Sequence, residues 1–182
     1  MTAIHFDAAT GRLGEQADGA IRYSRGTDRF DNKPRAMQAR DFDEFEHQVL
    51  ADRAKAKGKT FFCAPFRING NGLPQRGKDY ALPRAFVPFD LDLIADAETF
   101  AELRLAFAAW RGFGYTTASH TTDAPRCRIV LAASREMTRE EGIAVCGEIQ
   151  RRIEAGFEPG TLKFDDSVYR AEQPIYNPLG NA

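Results

Sequence analysis

Cysteine is scarce: three in 182 residues, Cys63, Cys127 and Cys146, with no Cys-x-x-Cys pair among them. That spacing offers no disulfide framework and no cysteine zinc site, so no zinc is expected and a reducing cytoplasm is the expected setting. Long apolar runs are missing as well. No stretch approaches the roughly 20 residues that span a bilayer, and the opening MTAIHFDAATGRLGE has no signal-peptide core. A membrane partner is therefore not expected. Nor is there an excess of charge of one sign: 25 Lys and Arg against 26 Asp and Glu leave a net charge of −1, which by itself favours no class of partner. Internal repeats and low-complexity tails are absent. With 43% hydrophobic and 28% charged residues, what is left has the composition of an ordinary globular domain.

The distribution of charge says more than its sum. From Arg53 to Arg84 eight basic residues (Arg53, Lys55, Lys57, Lys59, Arg67, Arg76, Lys78, Arg84) face a single acid, Asp79. Such a segment can grip phosphates, or it can be a solvated helix end and loop. Residues 1–40 read as loop-rich, with a strand AIRYS and a polar turn GTDRFDNKPR. Asp41 reads as the N-cap of a helix DFDEFEHQVLADRAKAK, with Phe42, Phe45, Val49 and Leu50 as its apolar stripe. A strand TFFCAPFRI and a long glycine- and proline-rich loop, INGNGLPQRGKDYALP, come next.

From Arg84 the pattern becomes regular. AFVPFDLDLI is a strand, and Asp96 caps a helix striped by Phe100, Leu103, Phe107 and Trp110. GFGYTTASH is a strand ending in Ser119-His120, and RCRIVLAAS is the next. Thr138-x-x-Glu141 is a capping box for a helix carrying Ile143, Cys146, Ile149 and Ile153, and TLKFDDSVY is a final extended piece. The order β-α-β-β-α-β predicts an α+β fold with a ferredoxin-like or RRM-like half over 84–182, packed with an N-terminal α/β unit over 1–83.

Asp90 and Asp92 are two carboxylates one residue apart in an apolar run. In a strand they share a face, and burying like charges together requires compensation. The wiring brings the ends of the strands to one edge, where Asp90, Asp92, Ser119, His120, Arg126, Arg128, Asp165 and Asp166 would meet. Oxygen ligands in an open cleft suit Mg²⁺ or Mn²⁺. Two such ions about 4 Å apart clamp an in-line phosphoryl displacement. Arg126 and Arg128 alternate with apolar neighbours, so their guanidinium forks project together and match phosphate oxygens. Arg76 and Lys78 could touch a nucleotide or template phosphate. His5 and His47 have no comparable setting.

The apolar strand ending in Asp90-Leu-Asp92 resembles the hhhDhD motif of the archaeo-eukaryotic primase superfamily. Ser119-His120 resembles its sxH motif, with serine and histidine adjacent, and Phe164-Asp165 its hD motif. SHTTDAPRCRIVLAAS and FDDSVYRAEQPIYNP look like primase-polymerase domains of phages, plasmids and integrated elements. The resemblance spans roughly residues 84–178. It implies template-directed nucleotidyl transfer from NTPs or dNTPs on single-stranded DNA, with Asp90, Asp92 and Asp165 (or Asp166) holding two metal ions. Ser119, His120, Arg126 and Arg128 would hold the triphosphate. It also implies that the chain, ending at PLGNA, is the catalytic part of a longer replication protein with a helicase region.

Two other readings compete. A haloacid-dehalogenase-type phosphohydrolase also starts from a strand ending in DxD, but Ile94 stands where threonine or valine is expected and the strand pattern is not strictly alternating. A non-catalytic nucleic-acid-binding module on an RRM-like sheet would stack bases on aromatics that RCRIVLAA lacks.

Overall fold

A computed structural model describes residues 3–6 and 19–180 of the chain. A short strand, β1 (Ala3–Phe6), comes first. A hairpin of β2 (Ile21–Asp28) and β3 (Arg35–Ala39) leads into α1 (Phe42–Ala51), and then into β4 (Lys59–Cys63). Beyond the long loop come β5 (Arg84–Ile94), α2 (Ala97–Phe107), β6 (Gly112–Thr116) and β7 (Cys127–Met137). The chain closes with α3 (Arg139–Glu154), β8 (Leu162–Phe164) and β9 (Ile175–Tyr176).

Two antiparallel sheets result, with three α-helices among the described residues. The larger has the order β1-β6-β7-β5-β8 and the smaller β3-β2-β4-β9. The expected boundary near residue 83 is therefore crossed twice: β1 pairs with β6, and β9 pairs with β4. Each half lends a strand to the other's sheet.

The helices start where the sequence sets them. Asp41, Asp96 and Thr138 are N-caps accepting from Glu44, Thr99 and Glu141 main-chain N–H groups, and Thr138 and Glu141 form a full capping box. Other boundaries move for tertiary reasons. The helix expected to reach Lys57 stops at Ala51, because the C-terminal segment captures residues 52–54. Asn177 Nδ2 donates to the Asp52 carbonyl (3.0 Å), and the Ala54 N–H donates to the Pro178 carbonyl (2.8 Å). GTDRFDNKPR is half strand, since β2 runs to Asp28 and β3 begins at Arg35. TLKFDDSVY is extended only to Phe164; Asp165 then caps a 3-10 turn over Asp166–Tyr169.

The core lies on both faces of the larger sheet. On one face Phe89 meets Phe107 of α2, Phe164 of β8 and Tyr169. On the other, Phe45 of α1 touches Tyr23, Phe62, Phe86 and Phe113, which come from β2, β4, β5 and β6. One fully buried ring thus locks the two sheets together, with each aromatic pair adding about 0.5–1.5 kcal/mol beyond burial.

The capping box is testable. Thr138→Ala should destabilise the fold by about 1 kcal/mol in denaturant melts. Hydrogen bonds from Arg135 and from the Thr138 N–H hold the Glu141 carboxyl down from 4.5 to about 2. Because the folded pKa is depressed, its contribution is complete above about 4.5 and fades as pH falls toward 2. Glu141→Gln should flatten that part of the stability profile.

Candidate functional site

The strand registers assemble a polar row across the larger sheet. Tyr115 lies opposite Arg128, and Arg128 opposite Asp90. Cross-strand partners share a face. Leu91 is opposite Phe164, so the next residue, Asp165, returns to Asp90's face, and its N–H donates to the Asp90 carbonyl at 2.8 Å. Three strands and the residue just beyond β8 thereby contribute Tyr115, Arg128, Asp90 and Asp165 in order, on the face turned toward the smaller sheet.

At the centre is a buried ion pair. Arg128 donates from Nε (2.8 Å) and Nη2 (2.7 Å) to the same Asp90 oxygen, Oδ2, with side chains 14% and 8% exposed. Asp90 Oδ1 is buried without a hydrogen-bond partner. Arg128 Nη1 and the Tyr115 hydroxyl both donate to the Tyr176 carbonyl of β9, at 3.0 and 2.8 Å, fastening the smaller sheet to the row. Burial pushes the Asp90 carboxyl above its ordinary range; Arg128 pulls it back, while Asp92 and Asp165 push it up again. The three acids singled out in the sequence are thus electrostatic neighbours. Asp166 is exposed and is not among the groups acting on Asp90.

Asp92 is exposed, with no hydrogen bond or ion pair among the described residues. Asp165 Oδ1 accepts from the Ser167 N–H at 2.9 Å, leaving Oδ2 without a hydrogen bond. Among the described residues no three His, Cys, Asp or Glu side chains are gathered as a metal-holding group. The donors that fit a hard cation are the bare Oδ1 of Asp90 and the carboxylate of Asp92.

Beside the row a cleft of about 500 Å³ opens between the sheets. Asp92, Ser119, Arg126 and Arg128 line it from the larger sheet, while Arg29, Lys57 and Lys59 come from the smaller one. Lys57 Nζ donates to Ser119 Oγ across the gap (2.9 Å), and Lys59 pairs with Asp28 (3.2 Å). Arg126 is half-buried, and its side chain has no hydrogen bond or ion pair among the described residues. His120 sits behind this wall. Its Nδ1 accepts from the Arg126 N–H (3.1 Å), its ring lies against Phe100, and it is not among the residues that line the cleft.

Arg76 and Lys78 do not line the cleft. Arg76 instead donates from Nη2 to the Arg29 carbonyl. Arg84 is fully buried and donates to the carbonyls of Tyr169 (2.8 Å) and Val168 (3.5 Å), so it is structural rather than a phosphate grip. Of the basic run only Lys57 and Lys59 reach the cleft, and Arg29 and Tyr176 join them. Spacing alone did not mark these four, because their convergence depends on how one sheet packs on the other.

A family model, the VapE N-terminal domain, matches residues 18–181. The chain belongs to that family. VapE N-terminal domains occur in phage and plasmid replication-associated proteins. No curated protein and no solved structure matches the chain. No helix among the described residues is long and apolar enough to cross a membrane.

The ion pair yields a prediction for this VapE N-terminal domain. In a carboxyl-detected NMR titration Asp90 should titrate above the ordinary aspartate value, and Asp92→Asn should lower it. Arg128→Leu strands a buried carboxylate and should destabilise the fold by about 3–5 kcal/mol at neutral pH. With the folded pKa raised, that variant should regain stability as pH is lowered through the Asp90 midpoint.

Proposed function

We propose that this VapE N-terminal domain is the catalytic core of a primase-polymerase, transferring nucleotides from NTPs or dNTPs under the direction of a single-stranded DNA template. The observation that carries this reading is the electrostatic proximity of Asp92 and Asp165 to the buried Asp90, next to a cleft lined by Arg29, Lys57, Lys59, Arg126 and Arg128. Acids alone would repel a nucleotide and bases alone would only bind one. A polyphosphate substrate that reacts at a cation needs both, side by side.

The strand order supports the same reading. Within the second half it runs β6-β7-β5-β8, each neighbour antiparallel, and both α2 and α3 contact β5. We take that order as consistent with an RRM-like half. It gives no support to the dehalogenase-type alternative, whose DxD strand belongs to a parallel sheet.

Each part then has a role. Asp90 Oδ1 and Asp92, with Asp165 alongside, would hold Mg²⁺ or Mn²⁺. The cation, when bound, supplies Lewis-acid stabilisation of phosphoryl oxygens. Arg126 and Lys57 are placed to hold the triphosphate, and Ser119 orients Lys57 through their hydrogen bond. His120 acts behind the cleft wall, where its Nδ1 keeps the Arg126 backbone in place. Arg128 holds Asp90 ionised and ready, and also anchors β9. A helicase region in the full replication protein belongs to this proposal.

Primer extension and de novo synthesis with labelled NTPs and dNTPs, under Mg²⁺ or Mn²⁺, test it. Asp92→Ala is the informative variant: its side chain is exposed and unpaired, so folding should persist while incorporation falls by about a hundredfold or more. Asp90→Ala and Asp165→Ala should be equally inactive, and His120→Ala and Arg126→Ala should chiefly raise the KM for nucleotide. Incorporation surviving in Asp92→Ala would exclude the catalytic role.

A further inference from the structure

Phe30 is 75% exposed at the tip of the β2–β3 hairpin. An exposed phenylalanine on a loose loop needs no explanation, but this tip is built to be rigid. Asp31 N–H donates to the Asp28 carbonyl (2.9 Å), and the Phe30 N–H to Asp28 Oδ1 (2.9 Å). The Asp31 carboxylate accepts from the N–H groups of Thr27 and Lys33, each at 3.0 Å. Beneath the tip, Arg76 donates to the Arg29 carbonyl and rests 5.3 Å from the centre of the Phe61 ring. The far end of the Phe61 ring in turn presses on β2 at Gly26, where a Cβ would come within 2.1 Å of it. The chain of support from Gly26 through Phe61 and Arg76 ends at the carbonyl just before Phe30.

Two further observations give the ring a purpose. The Arg29 guanidinium lies over it, 4.5 Å from the ring centre. Both residues line the cleft that also holds Lys57, Lys59 and Arg126. A fixed aromatic with an arginine against it, at the mouth of a basic cleft, matches what unpaired bases and their phosphates require. Base–aromatic stacking is tolerant of sequence because every base has a π-face, and flanking cations track the backbone.

We propose that the Arg29–Phe30 tip is a stacking site for an unpaired base of a single nucleic-acid strand whose phosphates pass over Lys57. The identity of that strand as the template rests on the primase-polymerase reading; the binding site itself does not. An apolar protein partner is disfavoured by the charge around the ring.

The test is fluorescence anisotropy of a labelled oligothymidylate with the full chain, without metal or nucleoside triphosphate. Phe30→Ala should weaken binding about tenfold, and Phe30→Trp should preserve it. Phe30→Leu separates stacking from packing. It keeps apolar bulk without a π-face, so it should bind as poorly as the alanine variant, with an unchanged thermal midpoint. Lys57→Ala should weaken binding and lower the slope of log K against log salt by about one, a change that Phe30→Ala should not produce. Wild-type affinity in Phe30→Leu overturns the stacking site, and so does a loss confined to free nucleoside triphosphate. Catalysis is read separately: inactive Asp92→Ala with unaltered Phe30→Leu would defeat this site alone, and the reverse pattern would defeat the catalytic reading alone.

Discussion

Between the two sheets a carboxylate and a guanidinium, both nearly out of reach of water, hold each other. Asp90 would not be tolerated there alone, since an isolated buried carboxylate neutralises itself by taking a proton. Arg128 would fare no better unpaired. Together they form a pair in which both donors fall on one oxygen, Oδ2, and the other, Oδ1, is left bare. Buried polar atoms without partners are rare and carry a penalty of about 1–3 kcal/mol. Natural selection for stability alone would supply that oxygen with a donor or replace the pair with apolar side chains. On the proposed reading, that oxygen would be kept for a cation.

The same arginine is also the mortar between the sheets. Its third donor and the Tyr115 hydroxyl converge on the Tyr176 carbonyl, so the strand at the end of the chain is located by the residue that neutralises Asp90. The cleft's shape is thereby coupled to the charge state of the acidic row. Whatever alters the Asp90–Arg128 pair acts on β9, and through β9 on β4, which begins at Lys59 just after the turn bearing Lys57. A second buried arginine, Arg84, works differently. It has no carboxylate and instead donates to the carbonyls of Val168 and Tyr169, fixing the 3-10 turn just beyond Asp165. One arginine positions the middle of the acidic row and the other its end.

The range of each interaction decides how much of this was legible in the sequence. Helix starts were readable because caps are local: Asp41, Asp96 and Thr138 act within three residues of themselves. The shared face of Asp90 and Asp92 comes from strand periodicity, and Asp165 joins them through register with β5. Lys57 and Lys59 were visible only as members of a basic run. Their place in the cleft depends on α1 stopping at Ala51, and that depends on Asn177, more than a hundred residues away. Arg29 and Phe30 were hidden inside a segment that reads as a turn. The signals that place them, Phe61 across Gly26 and Arg76 beneath the tip, are contacts between strands and loops with no local trace.

The acidic row and the basic cleft also differ in how they are held, and that difference bears on function. The central pair of the row is buried on adjacent strands, Asp90 of β5 opposite Arg128 of β7, while a register shift between Leu91 and Leu93 interrupts the pairing with β8 and Asp165 lies just beyond it. Three of the cleft's cations sit on turns, Arg29 on a hairpin tip, Lys57 after a truncated helix and Arg126 ahead of β7, while Lys59 and Arg128 belong to β4 and β7. Metal-assisted chemistry demands fixed oxygen positions, which strands provide. A sliding polyphosphate or strand demands charge that can track it by small rotations of long side chains, which turns allow. On the proposed reading, the buried Asp90–Arg128 pair would fix the oxygen facing the cation, and the long side chains of Lys57 and Arg126 would follow the polyphosphate.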